Sequence, residues 1–387
     1  MTARWRRTAL AAAAVAALLA LAWFAGGQAQ LGRIDPALVL PWVPLVLVPS
    51  AMVRHRSRGP VSPASARKED AFVMGLLVLA QAVLALMLAG QMPWRQLLLV
   101  GFGAGLVAWL ASLLAQWRAG RMVRGVATLL FIGGWFVASH LLLATLYRPA
   151  TAPGPPATML TGLPLRWSEG RNLSEMLAAG LSEDPALGRI EAAGPVHLVD
   201  SLIDSPPPPG GALLLAHPRA LAPGELVAID GFVRGGGRAV ILADALTGWP
   251  MRYPIGDPRN PPVTSLLTPL LDHWGVTLGA ASAADRHIIP VDIDGARLRL
   301  STAGRFGPLP ATCRAYADRR VVRCRIGRGE VWLVGDADLL FAPLWQPVPH
   351  WAAHLRPADT MEWLSARLWS DAPAAILRPL WIRSSAK

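Results

Sequence analysis

Several side chains capable of chemistry fall where short apolar runs end: Arg166, Trp167, Glu169, Asp200, His217, Arg219, Asp244, Asp336 and Asp338. If those runs are parallel strands, these residues share the carboxyl edge of one sheet, which is where open α/β sheets collect ligands. Asp244, Asp336 and Asp338, from neighbouring strand ends, can share one hard cation with His217 as a further ligand, the equipment of a metal-dependent hydrolase. The bland alternative is that aspartates after strands cap the next turn or helix. His217, before Pro218, reads as a loop histidine bonded to a backbone carbonyl. Arg166, Trp167 and Glu169 read either as a binding surface or as a packed tryptophan beneath a snorkelling arginine. Acyl transfer would need a nucleophile on a strained strand-to-helix elbow. No G-x-S-x-G stretch occurs, and the strand ending at Ala243 continues Asp244-Ala245-Leu246. We therefore assign no catalytic residue, no cofactor and no metal. Arg166, Trp167, Glu169, His217, Arg219, Asp244, Asp336 and Asp338 remain as a possible ligand-binding edge.

The element that positions this edge best is the stretch from Ala212 to Asp244. An apolar run (Ala212 to Ala216) meets His217 and Pro218. A helix with Pro223 near its first turn then carries Leu226, Ile229, Phe232 and Val233 on one face. Gly235, Gly236 and Gly237 stop it, and Ala239 to Ala243 form a second apolar strand. A helical crossover between two fully apolar strands implies parallel strands buried on both faces.

Around it, Ala157 to Leu163 and Val196 to Val199 read as strands, Leu173 to Leu181 as a helix, and Thr247 to Pro262 as irregular, proline-rich chain. Ser265 to Trp274 returns to helical spacing. His287 to Ile326 alternates, as hairpins attached to the sheet would. Val331 to Val334 reads as another buried parallel strand and Thr360 to Leu368 as a helix.

Leu213 to Pro218, Glu225 to Asp230, Gly236 to Arg238 and Ala239 to Asp244 together resemble the class I glutamine amidotransferase-like domains of gliding-motility-type (GldG-like) and uncharacterised ABC transport accessory proteins. Leu266 to Val276 and Gly329 to Leu339 resemble later stretches of the same domains, so the likeness covers roughly residues 157 to 370. It implies the α/β fold and an association with an ABC permease and ATPase. It does not bring amidotransferase activity, because neither cysteine lies at an elbow and fold does not imply function. No G-x-x-x-x-G-K-[ST] motif occurs, so an ATPase would be another chain.

Hydrophobic residues are 53% of the chain and charged ones 16%. The excess lies in five runs: Thr8 to Gly26, Pro36 to Val53, Ala71 to Gly90, Gln96 to Trp117 and Gly125 to Tyr147. Each is near the length of about 20 residues that crosses a bilayer. The second contains Pro41, Pro44 and Pro49, which neighbouring helices can accommodate. Basic residues gather before the first run (Arg4, Arg6, Arg7), after the second (Arg54, Arg56, Arg58, Arg67, Lys68) and after the fourth (Arg118, Arg121, Arg124). The positive-inside rule then puts the N-terminus in the cytoplasm and everything after Tyr147 outside, in the periplasm of a bacterial inner-membrane protein. The first run alternatively reads as a cleaved signal peptide, which leaves the remaining topology unchanged.

The net charge of +12 belongs mostly to those loops. Residues 1 to 147 hold 13 Lys and Arg against 3 Asp and Glu, and the remainder 24 against 22. Nucleic-acid binding is thus excluded as a reading of the basic pI, for want of a basic patch outside the membrane half. His140 and Gln81 are the strongly polar side chains inside runs, too few for a conduction path. Gly101, Gly103 and Gly105, and Gly133 with Gly134, suggest close helix packing. Cys313 and Cys324 face each other if Asp318 and Arg319 form a two-residue hairpin loop, so they are a disulfide candidate, or else two buried thiols.

The expected architecture is a membrane α-helical bundle of about five helices (residues 1–147), then a proline-rich linker (148–156). An α/β domain with a mostly parallel sheet and an added β-hairpin region (157–370) and a tail (371–387) complete it. The expected function is a non-enzymatic accessory subunit. The alternative is an envelope hydrolase using strand-end carboxylates with a metal.

Overall fold

The computed structural model describes residues 3–57, 63–168, 181–254, 256–257, 259–281 and 287–383. The helix expected over Leu173 to Leu181 falls mostly outside them. The chain divides into two compact units, one of residues 1–148, 347–356 and 375–387 and one of 149–346 and 357–374.

In the first unit, α1 (Ala3–Ala20) continues into a π-helical turn, Leu21–Ala25, followed by the short α2 (Gln28–Leu31). Pro36–Trp42 is a 3-10 helix that runs into α3 (Val43–Ser57). The Asp35 side chain caps it by accepting from the Ala37 amide at 3.2 Å, and Pro36 occupies the first turn, where no amide is needed. Then come α4 (Pro63–Leu88), α5 (Trp94–Gln116) and α6 (Arg121–Leu146). Among the described residues five segments are long and apolar enough to cross a membrane. The close packing expected at Gly103 is present: a Cβ there would stand 2.3 Å from Leu40 Cδ1. At Gly133 and Gly134 the expectation fails, since a Cβ would meet nothing within 4 Å.

Two later stretches complete this unit. The Ile34 amide donates to the Leu380 carbonyl (2.9 Å), the Ile382 amide to Gly32 (3.0 Å), and the Leu377 amide to Leu146 (3.0 Å). Arg33 lies fully buried where these strands of chain meet. Its Nη2 donates to Asp35 Oδ2 at 2.6 Å and its Nη1 to the His354 carbonyl at 2.5 Å. The Tyr147 hydroxyl donates to the same Asp35 oxygen at 2.6 Å. Burial holds the His354 imidazole down at about 3, with His140 and the Arg33 and Arg356 charges lowering it further.

The second unit is built on a seven-stranded sheet. Its strands are β1 (Ala157–Thr161), β4 (Val196–Leu198), β5 (Ala212–Ala216), β6 (Arg238–Leu242), β9 (Cys313–Tyr316), β10 (Val321–Ile326) and β11 (Gly329–Val334). Their spatial order is β4-β1-β5-β6-β11-β10-β9. The first five in that order are parallel, and β10 and β9 add antiparallel. Both faces are covered, which is why β5 is apolar and buried at every position. Leu214 and Val240 pack on one face with Leu187 of α7 (Pro185–Ala193) and Leu364 of α11 (Thr360–Leu368). Leu213, Leu215 and Ile241 pack on the other with Ile229 and Val233 of α8 (Pro223–Arg234). Two short helices, α9 (Thr268–His273) and α10 (Ala342–Trp345), fall between α8 and α11 in the chain.

Only one of the expected hairpins joins this sheet. β7 (Ile289–Ile293) and β8 (Ala296–Leu300) form their own two-stranded ribbon, as do β2 (Arg166–Ser168) and β3 (Leu181–Glu183). In the β9–β10 hairpin Asp318 and Arg319 both have positive φ (51° and 61°), and the Arg320 amide donates to the Ala317 carbonyl. That is the tight turn whose twist suits flanking strands. It sets Cys313 opposite Cys324, and a disulfide joins them.

Candidate functional site

The parallel order places β1 and β5 side by side with their chain connections leaving in opposite directions, the switch point of a doubly wound sheet. The residues just after β5 line that crevice. His217 takes a positive φ of 48° and is fully buried, its Nε2 2.8 Å from the Pro262 carbonyl. Burial lowers its pKa, and the Pro262 contact opposes that in part. The loop reading of His217 thus has its carbonyl partner. Arg219, two residues on, is exposed and lines a cleft of 280 Å³ with Met251, Asp257, Asn260 and Leu266. The Asn260 amide ties that irregular segment together, bonding the Tyr253 amide and carbonyl.

The carboxylates that end β6 and follow β11 do converge. Ligand-type oxygens of Asp244, Asp336 and Asp338 lie within 4.8 Å of one another, and the three residues are 0–2% exposed. Their partners are loop backbone and hydroxyls. Asp244 Oδ1 accepts from the Leu246 amide at 3.1 Å. Asp336 accepts from the Ser301 amide at 2.6 Å and from the Asp338 amide at 2.7 Å. Asp338 accepts from the Gly248 amide at 2.8 Å and from the Thr302 hydroxyl at 3.0 Å. Gly248 is required by this approach, because a Cβ there would lie 2.6 Å from Asp338 Oδ2.

Among the described residues no arginine or lysine bonds to the three, and the buried Asp244 and Asp338 carboxyls interact with each other directly. The acidity responds accordingly. Burial and then the Asp338 charge push Asp244 up to about 8. Burial likewise raises Asp338 to about 6, against the pull of its amide and hydroxyl donors. Asp336 is pushed well above the usual carboxylate range by burial and both neighbours. The group can share protons or hold a cation.

The rest of the expected edge is dispersed. Arg166 sits on the β2–β3 ribbon, paired with Glu183 at 2.9 Å and Glu191 at 3.1 Å. Trp167 is paired in register with Ser182 on that ribbon, and Glu169 lies outside the described residues. Asp200 is exposed after β4. Ser301, Thr302 and Gly248, which complete the carboxylate cluster, carry no motif that singles them out. Thr302 alone offers a signal once the fold is known, a non-glycine residue at φ 56°. Glu225 of α8 is a further anchor, accepting from the Ser201 hydroxyl (2.7 Å) and the Leu202 amide (2.9 Å) to hold the loop after β4.

Among the described residues, five segments long and apolar enough to cross a membrane and an α/β domain built on a doubly wound sheet fit a membrane-anchored protein. Residues 196–296, which include β5, α8, β6 and the Asp244 turn, match the family model described as ABC-type uncharacterized transport system. That match supports an uncharacterised ABC transport accessory protein. No curated protein matches the chain. Among solved structures it is similar to the exo-β-1,4-mannosidase Op5Man5 from Opitutaceae bacterium strain TAV5, with 15% identity, TM-score 0.34, and coverage of 55% of this chain and 36% of that one. A β-galactosidase from Rahnella sp. R3 gives 13% identity and TM-score 0.29, covering 59% of this chain and 35% of that one. One from Bacillus circulans sp. alkalophilus gives 12%, 0.30, 59% and 33%. The chain spans about a third of the length of these enzymes.

Proposed function

We propose that this chain is a non-enzymatic accessory subunit of an ABC-type transport or envelope system. Its helices would dock on a permease in the bacterial inner membrane, and its amidotransferase-like α/β domain would lie in the periplasm, recognising a partner protein or an envelope ligand such as a glycan. One observation supports the non-enzymatic reading: the strand-end carboxylates are at most 2% exposed and are occupied by amides and hydroxyls of the loops packed around them. The accessible part of the edge is the cleft beside Arg219, an exposed guanidinium of the kind that recognises carboxylate or phosphate oxygens. Orientation rests on the basic loops, and the transport association on the family match over residues 196–296.

The competing reading is an envelope hydrolase working through a cation held by Asp244, Asp336 and Asp338. The convergence of three carboxylates without a basic partner among the described residues favours it, and burial together with the Asp244–Asp338 contact opposes it. Replacing all three aspartates by asparagine separates the two. An accessory that stays folded keeps its transport phenotype and its partners, whereas a metal hydrolase loses both its activity and its response to added divalent cation. Purification of the full chain in mild detergent tests the transport reading itself: an ABC permease and ATPase co-purify if it is right, and a persistently solitary protein sinks it.

A further inference from the structure

Within the membrane unit, α1 and its π-helical turn, the 3-10 segment before α3, and α4 enclose a cleft of 330 Å³. That is a volume typical of small-ligand sites, as is a wall that is mostly apolar with a few polar atoms. Leu19, Trp23 and Leu84 supply much of the apolar wall, and Ala20 and Leu88, exposed on the outside of the bundle, stand at its rim. A side entrance of this kind admits a chain from the surrounding hydrocarbon. The π turn, a rare widening of the helix common at functional sites, sets Trp23 at the cleft.

The polar end is formed by Gln28, Asp35 and Gln81. Two of the three are already satisfied. Gln28 bonds the Asp35 amide and carbonyl, both at 3.1 Å, and the Asp35 carboxylate is neutralised by Arg33 and bonded by Tyr147. Gln81 is different. It is 3% exposed, its amide nitrogen points to the Pro36 carbonyl at 3.5 Å, and its Oε1 is buried with no donor. The Pro36 carbonyl fixes this orientation, since the flipped amide would set oxygen against oxygen. An amide oxygen shut away from water and lacking a partner leaves its desolvation cost unrecovered. The missing element is a hydrogen-bond donor, in a cleft whose remaining surface wants hydrocarbon and whose one charge pair is closed.

We propose that this cleft binds a single-chain, uncharged amphiphile, its alkyl tail between α1 and α4 and its hydroxyl or amide N–H donating to Gln81 Oε1. An anionic head is disfavoured because the buried cation at this end, Arg33, is already paired with Asp35, and a bare alkane leaves Gln81 unpaired. The site is independent of the α/β domain's edge and stands or falls apart from the accessory reading.

The test uses the full-length chain in lipid nanodiscs with bromine-tipped dodecanol, dodecane and dodecyl phosphate as probes. Quenching of Trp23 is read as the difference between the wild type and Trp23→Phe. The alcohol is expected to quench saturably, with half-saturation about tenfold below that of the alkane and of the phosphate, the worth of one hydrogen bond. Gln81→Leu should erase the preference while keeping the alkane response, and Leu84→Trp, which fills the cleft, should abolish saturable quenching by every probe. Equal half-saturation for alcohol and alkane on the wild type overturns the proposal without need of any variant. So does a preference that survives Gln81→Leu.

Discussion

Asp244 makes the chemistry of the edge measurable. Its carboxyl is raised from 3.8 to about 8, so between those values the folded protein holds a proton that the unfolded chain has released. Its contribution to stability is therefore greatest at the acid end, near pH 4, and declines as pH climbs toward 8. Asp244→Asn removes that residue's share of the decline, while Asp336 and Asp338, raised in the same direction, keep theirs, so thermal unfolding of the variant should vary less between about pH 5 and about pH 8 than that of the wild type. A flat wild-type profile would instead mean that a bound cation keeps Asp244 ionised, and chelation would then lower the melting temperature at the upper pH. Beside it, Gly248→Ala drives a methyl group into Asp338 and should cost about 1–3 kcal/mol by thermal or denaturant unfolding, the range for overpacking. Asp244 and Asp336 were legible in the sequence because each follows an apolar run, with Asp338 two residues beyond, whereas Ser301, Thr302 and Gly248 were not. Their role depends on which loops the sheet brings together, and no local pattern encodes that.

Among elements, the parallel core was the most readable part, because burial on both faces leaves strands such as β5 without a polar residue. Leu214 is fully buried at its centre, and Leu214→Ala should destabilise the domain by about 2–5 kcal/mol in denaturant titration. The hairpins were readable as alternation, but alternation specifies only that one face is covered, not by what. That is why β7 and β8 form a ribbon of their own while β9 and β10 extend the sheet. The disulfide closes a separation of 11 residues, so replacing Cys313 and Cys324 together by serine should cost about 3 kcal/mol on loop entropy alone. Arg33 and Asp35 lie outside what periodicity can find. Asp35→Asn leaves a buried guanidinium without its countercharge and should destabilise by about 3–5 kcal/mol, more than converting both residues to leucine.

At the scale of the whole chain, the five spans announced themselves by composition, and hydropathy needs no tertiary information to be read. The return of residues 347–356 and 375–383 to the membrane unit gave no such signal, since both stretches are short and mixed in polarity. The chain therefore passes from one unit to the other four times, after residues 148, 346, 356 and 374. A single nick in the proline-rich segment 148–156 leaves two fragments that share the membrane unit. They should stay together in mild detergent and part only on denaturation, as gel filtration before and after would record. The same weave governs birth of the molecule. Arg33 is made early, yet two of its neighbours, the His354 carbonyl and the Trp381 ring, are made more than three hundred residues later. Until the ribosome has delivered them, Arg33 has its countercharge in Asp35 but lacks the carbonyl and the aromatic ring that complete its surroundings, so the bundle is finished only when nearly the whole of this sequence has been made.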